Sequence, residues 1–158
     1  MIPDSKDKAI LKALTMNARL PVQDIAKKVR MPRDSVAYRI KRMEDKGIIK
    51  FYNPVVDQAK LGHPVFQFIN ISLRDFDAKR RTMFETHLKE NPNVVYAVRM
   101  VGKYHYMVAV AAKDLPDFDI IFGKLFGTYA DIIKEYDASS IIEEFKYDTY
   151  YDLITPRT

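Results

Sequence analysis

The chain has 158 residues, 47% hydrophobic and 30% charged, and no cysteine. That suffices for one ordinary domain or two small ones, is not the composition of disorder, and excludes a disulfide scaffold, thiolate zinc sites and a cysteine nucleophile. The net charge of +5 is uneven: residues 1–60 carry fourteen Lys and Arg against seven Asp and Glu, whereas 61–158 carry twelve against fourteen, so a polyanion partner is expected for the N-terminal part alone.

From Ser5 to Met16, Ala9, Ile10, Ala13 and Leu14 recur at helical spacing, with Asp4 or Ser5 as N-cap. Leu20-Pro21-Val22 breaks the pattern, and Val22, Ile25, Ala26 and Val29 resume it over a short second helix. After Pro32 a third helix, from near Arg33 to near Lys46, carries Val36, Ile40 and Met43 inward and ends at Gly47, a residue suited to the left-handed position beyond a helix. Three short, tightly connected helices are the layout of a helix-turn-helix, and equally of any small three-helix bundle.

Residues 51–63 read as a connecting strand and hinge, punctuated by Pro54, Gly62 and Pro64. A strand over Val65–Leu73, a helix over Ala78–Asn91, strands over Val94–Val101 and Tyr104–Ala112 around a Gly102-Lys103 turn, and a helix over Leu115–Tyr129 capped by Asp114 follow in order. A last β-rich stretch, Ile132–Asp148, offers Ile141, Ile142, Phe145 and Tyr147 for packing. The chain therefore reads as α+β, with a three-helix, winged-helix-like helix-turn-helix domain over 1–50 and a ferredoxin-like βαββαβ domain over 64–158.

Surface chemistry separates the two readings of the helices. Positions 27–50 hold nine cations against Asp34, Glu44 and Asp45, a net +6. Placed at 100° per residue, Asp34, Ser35, Tyr38, Lys41 and Arg42 face away from the inward stripe. Double-stranded DNA is the expected partner. Ser35, Tyr38 and Arg42 are the candidates for base edges, and Arg33 and Lys41 for phosphates. Arg39 flanks the stripe, where a structural ion pair competes with a phosphate contact. The Arg42→Ala substitution is expected to lower binding about tenfold with the fold unchanged.

Other clusters carry less. His63, His87 and His105 are scattered without metal-ligand spacing, so neither a metal nor another cofactor is expected. Asp114, Asp117 and Asp119 suit a helix N-terminus. Ser139-Ser140 lacks a paired base, Walker and Gly-x-Gly-x-x-Gly loops are missing, and Tyr147, Tyr150 and Tyr151 read as an interface patch. No enzyme activity is expected. No window approaches ~20 apolar residues and no apolar signal core follows Met1, so the cytoplasm is the expected location.

The runs Asp7-Lys8-Ala9-Ile10-Leu11-Lys12-Ala13-Leu14, Asn17-Ala18-Arg19, Ile25-Ala26-Lys27-Lys28-Val29 and Val36 through Lys50 resemble the N-terminal signature of the Lrp/AsnC, or feast/famine, transcription regulators. The βαββαβ tail resembles that family's regulatory domain. The resemblance implies dimers paired through the C-terminal sheet, higher homo-oligomers, near-palindromic operators and an amino-acid effector near the turn between the second and third regulatory strands. It thereby points to Met100, Gly102, Lys103, Tyr104 and His105 as the effector site. Two stretches depart from the pattern. Arg30-Met31-Pro32 stands where the family has Gly-Leu-Ser, with Asp34 or Pro32 left to start the third helix. Gly102-Lys103-Tyr104-His105-Tyr106 stands where it has Gly-Asp-Tyr-Asp-Tyr, which reverses the local field and favours an anionic ligand or none. An effector-blind architectural DNA binder is the first rival reading. The second is an enzyme, since siroheme decarboxylase subunits resemble the same architecture, although only His105 and Arg99 here suit a tetrapyrrole pocket.

Overall fold

The computed structural model describes residues 2–74, 77–147 and 149–154. The chain divides into two compact units, one formed by residues up to Val55 together with those after Glu144, the other by Val56–Glu144.

In the first unit, α1 (Ser5–Met16), α2 (Val22–Val29) and α3 (Arg33–Asp45) pack Ile10, Leu14, Ile25, Ala26, Val36 and Met43 into one core. Asp4 caps α1: its carboxylate accepts the Asp7 N–H at 2.8 Å, and the Asp7 carboxylate accepts the Asp4 N–H at 3.2 Å, a reciprocal capping box. Proline opens each of the next two helices. Pro21 and Pro32 sit at the N-cap positions with φ of −57° and −59° and no side-chain cap, so a pre-set backbone replaces the cap hydroxyl.

Both turns close in the same way. Ile48 N–H donates to Met43 O and Gly47 N–H to Glu44 O, each at 2.9 Å, with Gly47 at φ 66°. Met31 N–H donates to Ala26 O at 3.0 Å and Arg30 N–H to Lys27 O at 3.3 Å, with Arg30 at φ 53°. These are two Schellman closures. The second places an arginine where backbone geometry favours glycine. Loss of the family's turn glycine therefore leaves the turn intact and loads its strain onto Arg30.

The second unit holds β1 (Val65–Leu73), α4 (Ala78–Glu90), β2 (Val94–Arg99), β3 (Tyr106–Ala112), α5 (Leu115–Gly127) and β4 (Ile133–Ser140). The strands form one antiparallel sheet in the order β2-β3-β1-β4, as a ferredoxin-like plait requires. In register Ile69 pairs with Val108 and Ile71 with Tyr106, so odd residues of β1 and even residues of β3 share one face. On that face Phe84 and Leu88 of α4 and Ile121, Leu125 and Phe126 of α5 complete the core. Phe84 is wholly buried between Tyr106 and Tyr129, a burial that contributes about 2–3 kcal/mol. The opposite face carries Phe66, Phe68, Ala109, Ala111 and Ile141, with Tyr96 edge-on to Phe68 at 6.5 Å.

Three expectations change. Residues 51–57 form no strand, and 58–62 only turns, because among the described residues no neighbouring strand supplies a ladder for this run. The last β-rich stretch stops at Ser140: Ile141 packs against the Phe66 cluster, but Ile142 is fully exposed, Phe145 is 91% exposed and Tyr147 half-exposed. Residues beyond Glu144 group with the helical unit rather than with the sheet, where Tyr151 of α6 (Tyr151–Ile154) lies 4.5 Å beneath the Lys12 ammonium. Asp148, inside the expected stretch, lies outside the described residues. Among the described residues no helix is long and apolar enough to cross a membrane.

Candidate nucleic-acid interface and ligand cleft

The amphipathic pattern of α3 sets what it presents. Val36 and Met43 are fully buried and Ile40 packs beside them, leaving Arg33, Asp34, Tyr38 and Lys41 exposed and Ser35 half-buried. Tyr38 is 67% exposed, an aromatic with a polar tip held in solvent on a rigid helix. Arg33 reaches Asp34 at 3.4 Å and Lys41 reaches Asp45 at 2.6 Å, both between exposed groups. The Asp45 carboxylate raises the Lys41 ammonium pKa. Such exposed pairs are weak and screened, so a phosphate can displace them.

Arg39 and Arg42 do otherwise. Asp7 of α1 is 1% exposed and carries both: Arg39 donates to its Oδ1 at 2.7 Å and Arg42 to its Oδ2 at 2.8 Å. Arg39 also donates to Asp4 at 2.8 Å. Their side chains are only 18% and 31% exposed, and Arg42 Nε is buried without a hydrogen-bond partner among the described residues. Arg42, expected to reach base edges, here pairs with Asp7 across the helix interface. A carboxylate in the apolar core needs full pairing, and the nearest cations able to supply it are on the underside of α3. For Arg39, the ion pair is the arrangement found.

Asp7 is the residue sequence reasoning passed over. Its signal was present, since it lies three residues before Ile10 and seven before Leu14 on one helical face, and three after the Asp4 cap. A charged residue on an apolar stripe implies a partner. Its partners lie 32 and 35 residues away, so only the fold names them.

In the second unit, β2 and β3 are joined by a six-residue loop closed by Met100 N–H donating to His105 O at 2.7 Å. The predicted ligand residues separate into two groups. Gly102, Lys103 and Tyr104 form the tip, where Gly102 takes φ 145° and the Lys103 ammonium lies 4.7 Å from the Tyr104 ring centre. Met100 and His105 instead line an open cleft of about 360 Å³ with Leu73, Arg74, Arg81 and Arg99. His105 is stitched to β1: its N–H donates to Ile71 O at 2.8 Å, and its Nδ1 accepts the Leu73 N–H at 2.8 Å. That acceptor role assigns the ring proton of the neutral imidazole to Nε2. At the cleft edge Tyr106 donates to Glu85 at 2.7 Å, and Arg99 reaches the same oxygen at 3.3 Å. Burial, then the Glu85 hydrogen bond, pushes the Tyr106 hydroxyl up to about 12.

The remaining candidates have structural roles. Asp114 caps α5 through the Asp117 N–H at 2.7 Å, and Asp117 accepts the Lys113 N–H at 3.0 Å. His87 lies 5.3 Å from the Tyr129 ring centre and His63 beside the Leu61 carbonyl. Among the described residues no three His, Cys, Asp or Glu gather as metal ligands.

Known proteins share both halves. Residues 3–50 match the winged helix-turn-helix DNA-binding family, and residues 67–151 the Lrp/AsnC ligand binding domain. The HTH-type transcriptional regulator LrpB of Bacillus subtilis is 32% identical over 149 residues, 89% of this chain and 98% of its own. An AsnC family transcriptional regulator from Agrobacterium tumefaciens superposes with a TM-score of 0.80 at 28% identity, covering 92% of this chain and 94% of its own. A transcriptional regulator from Neisseria meningitidis, crystallised with L-Met, shares the fold at a TM-score of 0.80 and 22% identity, covering 92% and 94%. With an intact helix-turn-helix and the four-stranded regulatory sheet in one chain, this protein belongs to the Lrp/AsnC family of DNA-binding transcriptional regulators.

Proposed function

We propose that this regulator binds near-palindromic operator DNA as a dimer or higher homo-oligomer, inserts the outer face of α3 into the major groove, and is modulated by a small metabolite. Exposed Tyr38 carries the reading: a rigid helix in a helix-turn-helix holds an aromatic hydroxyl in solvent with no core to fill. Ser35 beside it reaches base edges, while Arg33, Lys41 and the lysines of α2 neutralise phosphates and fix register. Asp34 tunes the N-terminal end of the helix. Arg39 and Arg42 act one step back by fixing the orientation of α3 on α1.

Support for self-association comes from the sheet face opposite α4 and α5, where Phe68, Tyr96 and Ile141, packed around buried Phe66, offer an apolar surface that a second copy covers by two-fold pairing. Two heads then address two half-sites. The metabolite site is the loop after β2, from Met100 through Gly102, Lys103 and Tyr104 to His105. The protein works in the cytoplasm by binding rather than by catalysis, as the character of its relatives supports.

The test is a binding-site selection from random duplexes at two salt concentrations, followed by affinity measurement on the winning site. The wild-type protein is expected to enrich a two-fold sequence and to lose affinity steeply with salt. Tyr38→Ala is expected to bind about tenfold more weakly, the loss of one base-edge contact, with an unchanged thermal midpoint. Failure to retain any duplex at low salt overturns the reading.

A further inference from the structure

The chain passes between its two units twice, leaving the helical unit after Val55 and rejoining it after Glu144. Each lead is fastened to a helix of that unit by a tyrosine. On the way out, Tyr52 donates its hydroxyl to Glu44 Oε1 at 2.9 Å, in the last turn of α3. Burial, then this hydrogen bond, pushes the Tyr52 hydroxyl up to about 12, whereas its neighbour Phe51 is largely exposed. Residues 51–57 lie in no ladder among the described residues, which leaves side-chain anchoring to order this lead. On the way back, the Tyr151 ring lies 4.5 Å beneath the Lys12 ammonium of α1. Tyr151 and Ile154 are half-buried there, while Tyr150 and Leu153 are exposed. The two anchored helices are themselves locked together, since Asp7 of α1 holds Arg39 and Arg42 of α3. Both anchors therefore act on one rigid body that carries the outer face of α3.

We infer that Tyr52 and Tyr151 are positioning residues for operator binding: each ties one connecting lead to a helix of the head, so that α3 is presented to DNA in a fixed attitude rather than on slack tethers. The inference rests on the proposed binding of a two-fold operator by two heads, and names what fixes each head for it. When one head is bound, the second meets its half-site at an effective concentration set by the connecting segments, and slack lowers it. A lead already ordered also loses less conformational freedom on binding. Each anchor is weak by itself, one a surface hydrogen bond and the other a cation–π contact. The head is freed only when both are released.

The test uses the full-length protein and the selected operator in three duplexes. One holds both half-sites at their native spacing, one adds half a helical turn, about 5 base pairs, between them, and one holds a single half-site. The wild type is expected to prefer the native spacing roughly tenfold. Tyr52→Phe combined with Tyr151→Ala is expected to bind the native operator about tenfold more weakly and to lose most of the spacing preference. Its affinity for the single half-site and its thermal midpoint stay near wild type. Tyr151→Phe, which keeps the ring under Lys12, is expected to behave as the wild type does. An equal loss on the single half-site makes the tyrosines DNA contacts or plain stability determinants and overturns the inference. Tighter operator binding by the double variant overturns it as well, since the returning lead then competes with DNA. A spacing preference that survives release of both anchors sinks this inference alone. A wild type that binds the single half-site as tightly as the two-fold operator sinks the proposed two-headed binding and this inference with it.

Discussion

Arginine does opposite things in the two units. In the helical unit, Arg39 and Arg42 converge on Asp7, whose carboxylate is almost wholly buried, and are thereby committed to holding α3 against α1. In the sheet unit, Arg99 meets a part-exposed Glu85 at 3.3 Å while its own side chain is 62% exposed, a pair that water and ligands can exchange. The difference lies in the partner. A buried anion binds its cation permanently, because separating them strands a charge in a low-dielectric core; an exposed anion holds its cation weakly. The density of cations along a sequence therefore measures the field, and burial of the facing acid decides which of them remain available to a ligand.

The hardest blow to that comparison is Asp7→Ala, which leaves part-buried Arg42 without its anion and Arg39 with Asp4 alone. It is expected to cost the helical unit about 3 kcal/mol, read by urea unfolding, with operator binding lost as the unit melts. A loss of DNA affinity at unchanged stability makes Asp7 something other than a structural keystone. Arg42→Ala follows at about 2 kcal/mol, the worth of a hydrogen bond to a charged group, and its weaker DNA binding recovers on cooling or with a stabilising osmolyte. Affinity that stays low while stability is unchanged returns Arg42 to the DNA-contacting face.

Arg30 sharpens the comparison from a third position, since it is exposed, cationic and held at φ 53°. Arg30→Gly is expected to stabilise the unit by about 1 kcal/mol, the lower end of the left-handed penalty, while reducing the slope of log affinity against log salt by about 1 if a phosphate contact is lost. A fall in the thermal midpoint contradicts the strain argument. The smallest effect belongs to Asp4. The Asp7 backbone N–H, then Arg39, lowers its carboxyl from 3.8 to about 2. The folded value is the lower one, so this contribution is complete above pH 3.8 and is lost as pH falls toward about 2. Asp4→Asn is expected to flatten the acid limb of a helical-unit unfolding curve in that window, and an identical limb removes Asp4 from the account.

Much of the fold was legible because it depends on local periodicity. The α3 stripe of Val36, Ile40 and Met43, the Gly47 closure, the Asp114 cap and the alternation along β1 each follow from residues a few positions apart. Residues 51–63 and Ile142 to Tyr147 misled because β propensity describes a residue's fit to a ladder without supplying the neighbouring strand. In the site the same boundary holds. The outward placement of Tyr38 and the reversed charge around Lys103 and His105 could be read directly. The division of the loop residues between tip and cleft could not, nor could the three arginines drawn from the residue after β1, from α4 and from the end of β2.

By itself the sequence determined the two-unit organisation, the basic helix-turn-helix and the loss of acids from the β2–β3 loop, all properties of spacing and charge within a short window. Tertiary structure decided where the cations gather and which are committed to a buried acid. It brought Asp7 under Arg39 and Arg42 from more than thirty residues away, and gathered Arg74, Arg81 and Arg99 around His105. The availability of a charge depends on the burial and pairing of the groups across from it, and those neighbours exist only once the chain has folded.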